Sequence, residues 1–186
     1  MSAIDILKKL DGIEAVSLRP YQRILLVTDG TLTEILEAIF LERIQLIKVS
    51  QEVISATASH ADLEADSQEA LLERKILLRG ETSGRNYVYA ESVIALERLS
   101  PAFRDGLIKS AIPLGRLWLE HKLETFKDVP DVRCQPADGI HRHFGCQDSS
   151  PLLVRTYRVN SGTKPVMLIS EYFQLDTTHD LPARVP

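Results

Sequence analysis

Two charged residues of this chain occupy positions that the surrounding pattern reserves for apolar ones. Along a β-strand successive side chains face opposite sides, so each residue shares its face with those two positions away. Over residues 71–79 this rule puts Arg74 in one row with Leu72, Ile76 and Leu78. The other row, Glu73, Lys75, Leu77 and Arg79, suits water. Over residues 164–175 the same rule puts Glu171 among Met167, Ile169 and Phe173. A charge buried without compensation costs several kcal/mol, so each needs a partner. One solution is structural, with Arg74 and Glu171 paired to each other or to backbone. The other is functional: the two line an apolar pocket and bind a polar ligand. Spacing alone does not choose between them.

Three further features have the same double aspect. Pro113-Leu114-Gly115 at a helix start would present free N–H groups to an anion, and equally fits an ordinary proline-led helix start. Cys134, His141, His143 and Cys146 have metal-binding side chains but lack the paired C-x-x-C spacing of a structural zinc site. No metal site is expected there. Arg155, Tyr157 and Arg158 lie near the last hairpin, where they read either as surface strand residues or as polar groups that contact a ligand.

The elements that must position these residues follow from periodicity and turn chemistry. Residues 1–19 read as a peripheral helix, with Ile4, Leu7 and Leu10 at helical spacing, followed by a linker. Pro20 to Val27 reads as a short helix stopped near Asp29-Gly30. Thr31 then caps a second helix with Glu34 as its capping-box partner. That helix places Leu32, Ile35, Leu36 and Ile39 on one side. Strands are expected at about 43–56, 71–79, 86–96, 123–135, 152–159 and 164–175. A helix follows Ser100-Pro101 and another begins at Pro113. Residues 136–151 read as a long polar loop, and Asn160 to Thr163 as a four-residue hairpin connection. Five or six strands, mostly in hairpins, with helices near the start and middle give an α+β domain on an antiparallel sheet.

Bulk properties bound the function. The chain has 186 residues, 44% hydrophobic and 26% charged, which suits one globular domain. Its net charge of −4, with no Lys/Arg stripe, argues against nucleic acid as a partner. No apolar run reaches the roughly 20 residues of a membrane span, and residues 1–10 carry Asp5, Lys8 and Lys9, unlike a secretory signal. The expected location is the cytoplasm, with Cys134 and Cys146 as free thiols. An anionic ligand would therefore need local positive groups.

Several motifs then occur in a fixed order. They are Leu71 to Leu78 (LLERKILL), Tyr89 to Leu96 (YAESVIAL), Pro113-Leu114-Gly115, and Lys164 to Phe173 (KPVMLISEYF). Asp29-Gly30-Thr31-Leu32-Thr33, Glu124-Thr125-Phe126-Lys127 and Arg155-Thr156-Tyr157-Arg158-Val159 accompany them. The set resembles the chorismate pyruvate-lyase (4-hydroxybenzoate synthase) family, and most nearly its mycobacterial, archaeal and cyanobacterial branch. The resemblance covers about residues 20–175. It implies a single domain at 20–175, preceded by an N-terminal extension over 1–19 and followed by a tail over 176–186. It also implies a six-stranded antiparallel sheet with helices covering a buried ligand pocket.

By the same resemblance, the activity is elimination of pyruvate from chorismate to leave 4-hydroxybenzoate, with no cofactor. The residue matching Arg74 holds the ring carboxylate, helped by the backbone N–H of Leu114, and Glu171 contacts the ring hydroxyl. Leu32 is an apolar flap contact that is methionine in some members, and Ala90 stands where some members have glycine. Chorismate is a dianion, and Arg155 or Arg158 is expected to meet its second carboxylate. Two other readings stay open. One is a non-catalytic aromatic-acid-sensing domain, since effector domains of transcription regulators resemble this fold. Against it, only about 19 residues precede the matched region, fewer than an independent DNA-binding domain requires. The other is a related enzyme that converts chorismate or isochorismate to a different hydroxybenzoate.

Overall fold

The computed structural model describes residues 2–66, 68–109, 114, 117 and 126–175. Six strands form one sheet: β1 (Ile44–Ser55), β2 (Ala70–Gly80), β3 (Asn86–Ala95), β4 (Phe126–Pro136), β5 (Pro151–Ser161) and β6 (Lys164–Gln174). Their order is β1-β2-β3-β6-β5-β4, and every neighbouring pair is antiparallel. The α-helices among the described residues include α1 (Ala3–Leu7), α2 (Pro20–Val27), α3 (Leu32–Phe40), α4 (Pro101–Lys109) and α5 (His141–Phe144). This is the expected α+β architecture.

The register fixes one inner face. It carries Leu72, Arg74, Ile76 and Leu78 of β2, Val88, Ala90, Ser92 and Ile94 of β3, and Met167, Ile169, Glu171 and Phe173 of β6. Two apolar clusters cover its two ends. One joins Leu72, Ile94, Met167 and Ile169 to Phe103 and Leu107 of α4, and includes Ile6 of α1. The other joins Leu78, Val88, Ala90 and Phe173 to Leu25, Leu26, Leu32 and Leu36 of α2 and α3. Val27 and Leu10 touch both clusters. The charged residues lie in the seam between them, a polar break in an otherwise apolar layer.

The N-terminal stretch read as peripheral is tied down. Ile6 and Leu18 are buried, the Asp11 N–H donates to the Val132 carbonyl, and the Cys134 N–H donates back to Asp11. The outer sheet face is also drier than alternation suggested. Leu71 and Leu77 are buried, with Leu71 packed alongside Ala95 and Leu63.

Part of the cover on the outer face comes from residues 136–151, which are not simply loop. They contain α5, ended by Gly145 at φ +65°. His143 stacks on Tyr89 with ring centres 4.8 Å apart, and the Asn86 side chain donates to the His143 carbonyl. Two turns also differ from expectation. Ser161 pairs directly with Lys164, leaving a two-residue connection. Gly162, at φ +60°, supplies the left-handed conformation that such a tight turn needs. Thr31 makes no side-chain cap; instead the Gly30 N–H donates to Thr28 Oγ at 3.0 Å and folds the connection ahead of α3.

Candidate active site

Arg74 and Glu171 face the same side of the sheet but are not partners. Arg74 pairs in register with Ser92, whereas Glu171 pairs with Ala90, and β3 lies between their strands. The offset is two strands sideways and two residues along, roughly 10 Å by roughly 7 Å between backbones. A direct ion pair, one of the two structural solutions above, is thus absent. The two charges meet quite different fates.

Glu171 accepts three hydrogen bonds from two residues. Its direct cross-strand neighbour is Arg155, whose Nε and Nη2 donate to Glu171 Oε2 at 3.0 and 2.5 Å. The Tyr157 hydroxyl donates to Oε1 at 2.9 Å. Arg155 is 1% exposed and Glu171 6%, so this cluster is charge-compensated inside the protein. Burial works against the Arg155 charge, but the Glu171 carboxylate outweighs it and raises the guanidinium above its ordinary value. Burial, then the nearby carboxylate, pushes the Tyr157 hydroxyl well up. It therefore stays a donor. Arg155 Nη1 donates to the Thr28 carbonyl at 2.9 Å, tying the cluster to the α2–α3 connection.

Arg74 is 3% exposed, and its Nε and Nη2 have no hydrogen-bond partner among the described residues. These two nitrogens form the side-on edge of the guanidinium, the edge that grips a carboxylate with two parallel bonds. Arg155 spends that same edge on Glu171. Arg74 leaves it open among the described residues, and burial pulls its guanidinium below the ordinary value. A buried donor edge without an acceptor carries the full desolvation cost. The apolar neighbours Leu72 and Ile76 offer nothing to bond.

The remaining residues divide cleanly. Leu32 opens α3 and is buried in the same cluster as Ala90. Ala90 lies between Ile76 and Glu171 in the sheet, where a larger side chain would intrude on the seam. Leu114 is helical and packs against the cluster that contains Tyr157 and Ile169. Its neighbours Pro113 and Gly115, and hence the helix start read from them, lie outside the described residues. Arg158 is not brought to the site. It faces the other side of β5 and pairs with Asp128 at 2.8 Å, because residue 158 has the opposite parity to 155 and 157. Among the described residues no three His, Cys, Asp or Glu side chains gather around a common point.

Three residues gain a place here that sequence reasoning did not assign. Tyr157, for which a surface place and a ligand contact were both open, is buried. Its shared parity with Arg155 was the available signal. Gln51 faces Arg74 across β1–β2 only because a bulge between Lys48 and Ser50 shifts the register. Its Nε2 donates to the Ile108 carbonyl at 3.2 Å, and its Oε1 is buried without a partner among the described residues. Lys127 reaches in from β4 and places its ammonium 5.3 Å from the Tyr157 ring centre.

Tyr157 gives a separable test. Tyr157→Phe keeps the ring and removes the donor to Glu171, which leaves Oε1 under-satisfied. The expected loss is about 1–3 kcal/mol of stability, read from denaturant unfolding. If Glu171 acts in a reaction, turnover falls with it, because the carboxylate loses one of the bonds that fix its orientation.

An α+β domain with α2, α3 and α4 packed on the inner sheet face, and buried charges in the seam, is the class defined by this fold and site. A family model described as "Chorismate pyruvate-lyase Rv2949c-like" matches residues 26–180. Two mycobacterial proteins named chorismate pyruvate-lyase are each 32% identical to this chain. The one from Mycobacterium leprae aligns over 86% of this chain and 77% of its own length. The one from Mycobacterium tuberculosis (strain CDC 1551 / Oshkosh) aligns over 88% and 84%. The chain belongs to the chorismate pyruvate-lyase family, a family of lyases. Among solved structures, the effector domain of PhnF from Mycobacterium smegmatis has the same fold. It superposes with a TM-score of 0.62 at 14% identity, over 78% of this chain and 88% of that one.

Proposed function

We propose that the protein is a chorismate lyase that releases pyruvate from chorismate and leaves 4-hydroxybenzoate. The observation that carries this reading is the open side-on edge of Arg74, buried beside apolar residues and across the seam from a clamped carboxylate. Family membership supports the substrate. In this reading the functional unit is residues 20–175, with 1–19 an extension and 176–186 a tail.

The reaction sets modest demands. The ether C–O bond at the ring breaks and its electron pair leaves with the enolate of pyruvate. The ring carbon that bears the hydroxyl loses its proton, and the enolate takes one up to become pyruvate. Atoms balance with no added water or electron carrier, and aromatisation supplies driving force. The protein's task is orientation and charge placement. Arg74 grips the ring carboxylate through Nε and Nη2, with the Leu114 N–H as a second donor. Glu171, held by Arg155 and Tyr157, keeps a lone pair of Oε1 for the ring hydroxyl. From there it positions the carbon that loses its proton, or accepts that proton. Leu32 and Ala90 form apolar walls, and exclusion of water strengthens each charged contact.

Incubation of purified protein with chorismate tests this, with both products identified by retention time and mass. Stoichiometric 4-hydroxybenzoate and pyruvate are expected. A different hydroxybenzoate would point to a sister reaction. Tight binding of an aromatic acid without turnover would favour a sensor, the reading suggested by the PhnF effector-domain likeness. Folded protein that gives no product removes the lyase reading.

A further inference from the structure

We infer that Lys127 is the cation that receives the second carboxylate of the substrate, the one on the enolpyruvyl group, and so sets the preference for a dianion. The inference rests on the lyase reading and adds a residue to it. A substrate whose ring hydroxyl meets Glu171 carries its enolpyruvyl ether on the adjacent ring carbon. The second carboxylate must then fall near the Glu171 cluster, away from Arg74. Arg155 is poorly placed to take it. Its Nε and Nη2 are both engaged on Glu171 Oε2, and its Nη1 on the Thr28 carbonyl. Arg158 faces the other side of the sheet with Asp128.

Lys127 flanks that cluster. It sits opposite Val159 on the neighbouring strand, and its ammonium lies 5.3 Å from the centre of the Tyr157 ring, whose hydroxyl is bonded to Glu171. The same ammonium donates to the Asp29 carbonyl at 2.9 Å, with the Gly30 carbonyl at 3.5 Å. These are neutral acceptors in the connection that leads to Leu32, and a carboxylate is a stronger acceptor than either. Burial, and next the Arg155 charge, lower the Lys127 ammonium below its ordinary value, which an arriving anion would reverse. Lys127 and Arg155 together hold three successive carbonyls, Thr28 to Gly30. Arrival of a second carboxylate is therefore coupled to the position of the segment just ahead of Leu32.

The test compares a two-carboxylate ligand with a one-carboxylate ligand at the same site. Lys127→Met is expected to lower kcat/KM for chorismate roughly 10- to 100-fold, the worth of one charge-assisted hydrogen bond. The inhibition constant of 4-hydroxybenzoate, which lacks the second carboxylate, stays within about twofold. That unchanged constant also shows that the variant is folded. Lys127→Arg restores most of the loss. Equal weakening toward both ligands would make Lys127 a structural anchor of the loop and overturn the inference, as would no change toward either. If the wild-type protein does not turn chorismate over, the lyase reading falls, and calorimetric affinities for the same two ligands still decide the Lys127 assignment. If it binds neither, both fall.

Discussion

Replacement of Arg74 by methionine is expected to make the protein more stable and inactive at once. Arg74 is buried with two nitrogens unpaired among the described residues, so the folded, ligand-free protein carries the desolvation cost of a cation without the compensating contact. Methionine has a similar length, adapts to irregular apolar space and carries no charge. Leu72 and Ile76, which share its face of β2, are the residues it would lie beside. Removing an uncompensated buried charge commonly returns about 1–3 kcal/mol. For a domain of this size that is a rise of roughly 2–12 °C in Tm. The same change deletes the two-pronged grip on the ring carboxylate. A loss of roughly 10³-fold in kcat/KM follows, about 4 kcal/mol of transition-state binding. Calorimetry and steady-state kinetics on one preparation check both halves. A variant less stable than wild type would mean that Arg74 is already satisfied in the folded chain and serves the structure.

The second large effect has the opposite sign in stability. Arg155 and Glu171 are a compensated buried pair joined by two hydrogen bonds, and cutting either partner strands the other. Arg155→Met leaves the Glu171 carboxylate with Tyr157 as its remaining side-chain donor. The expected cost is about 3–5 kcal/mol, or roughly 6–20 °C in Tm at this chain length. The double variant Arg155→Met, Glu171→Leu removes both charges and recovers most of that loss. The cycle of two single variants and the double isolates the coupling between them. Additive losses would show that the pair contributes no mutual stabilisation. In the lyase reading all three variants are inactive. Stability and activity thus separate at Arg74 and fall together at Arg155. Only the first behaves as a residue kept for a ligand.

The contrast between the two arginines marks how far the sequence can be read. Alternation alone places Arg74 and Glu171 on apolar faces, because that needs only the parity of one strand at a time. Who pairs with whom depends on strand order and register. Glu171 meets Arg155 because β5 and β6 form a hairpin whose turn, set by Gly162, fixes their alignment. A four-residue connection would have implied another register. Parity also separates Arg155 from Arg158, but it becomes usable only once one residue of β5 is known to face inward. Gln51 could not be found this way, since the bulge after Lys48 resets parity within β1. Lys127 lies on an edge strand with weak periodicity, and its reach to the α2–α3 connection is a purely tertiary fact. The short α5 within 141–144 is held by contacts to Tyr89 and Asn86 rather than by local propensity. The fold was therefore legible in outline and the two key charges by position. The wiring between them was not.

In the lyase reading an aromatic acid spans the seam, with its carboxylate on Arg74 and its hydroxyl on Glu171. A crystal structure of the protein soaked with 4-hydroxybenzoate tests it most directly. The expected complex has the ligand carboxylate within hydrogen-bond distance of both Arg74 Nε and Nη2, and its hydroxyl on Glu171 Oε1 beside the Tyr157 hydroxyl. A ligand bound elsewhere, or one in the seam that leaves the Arg74 edge unpaired, would contradict it.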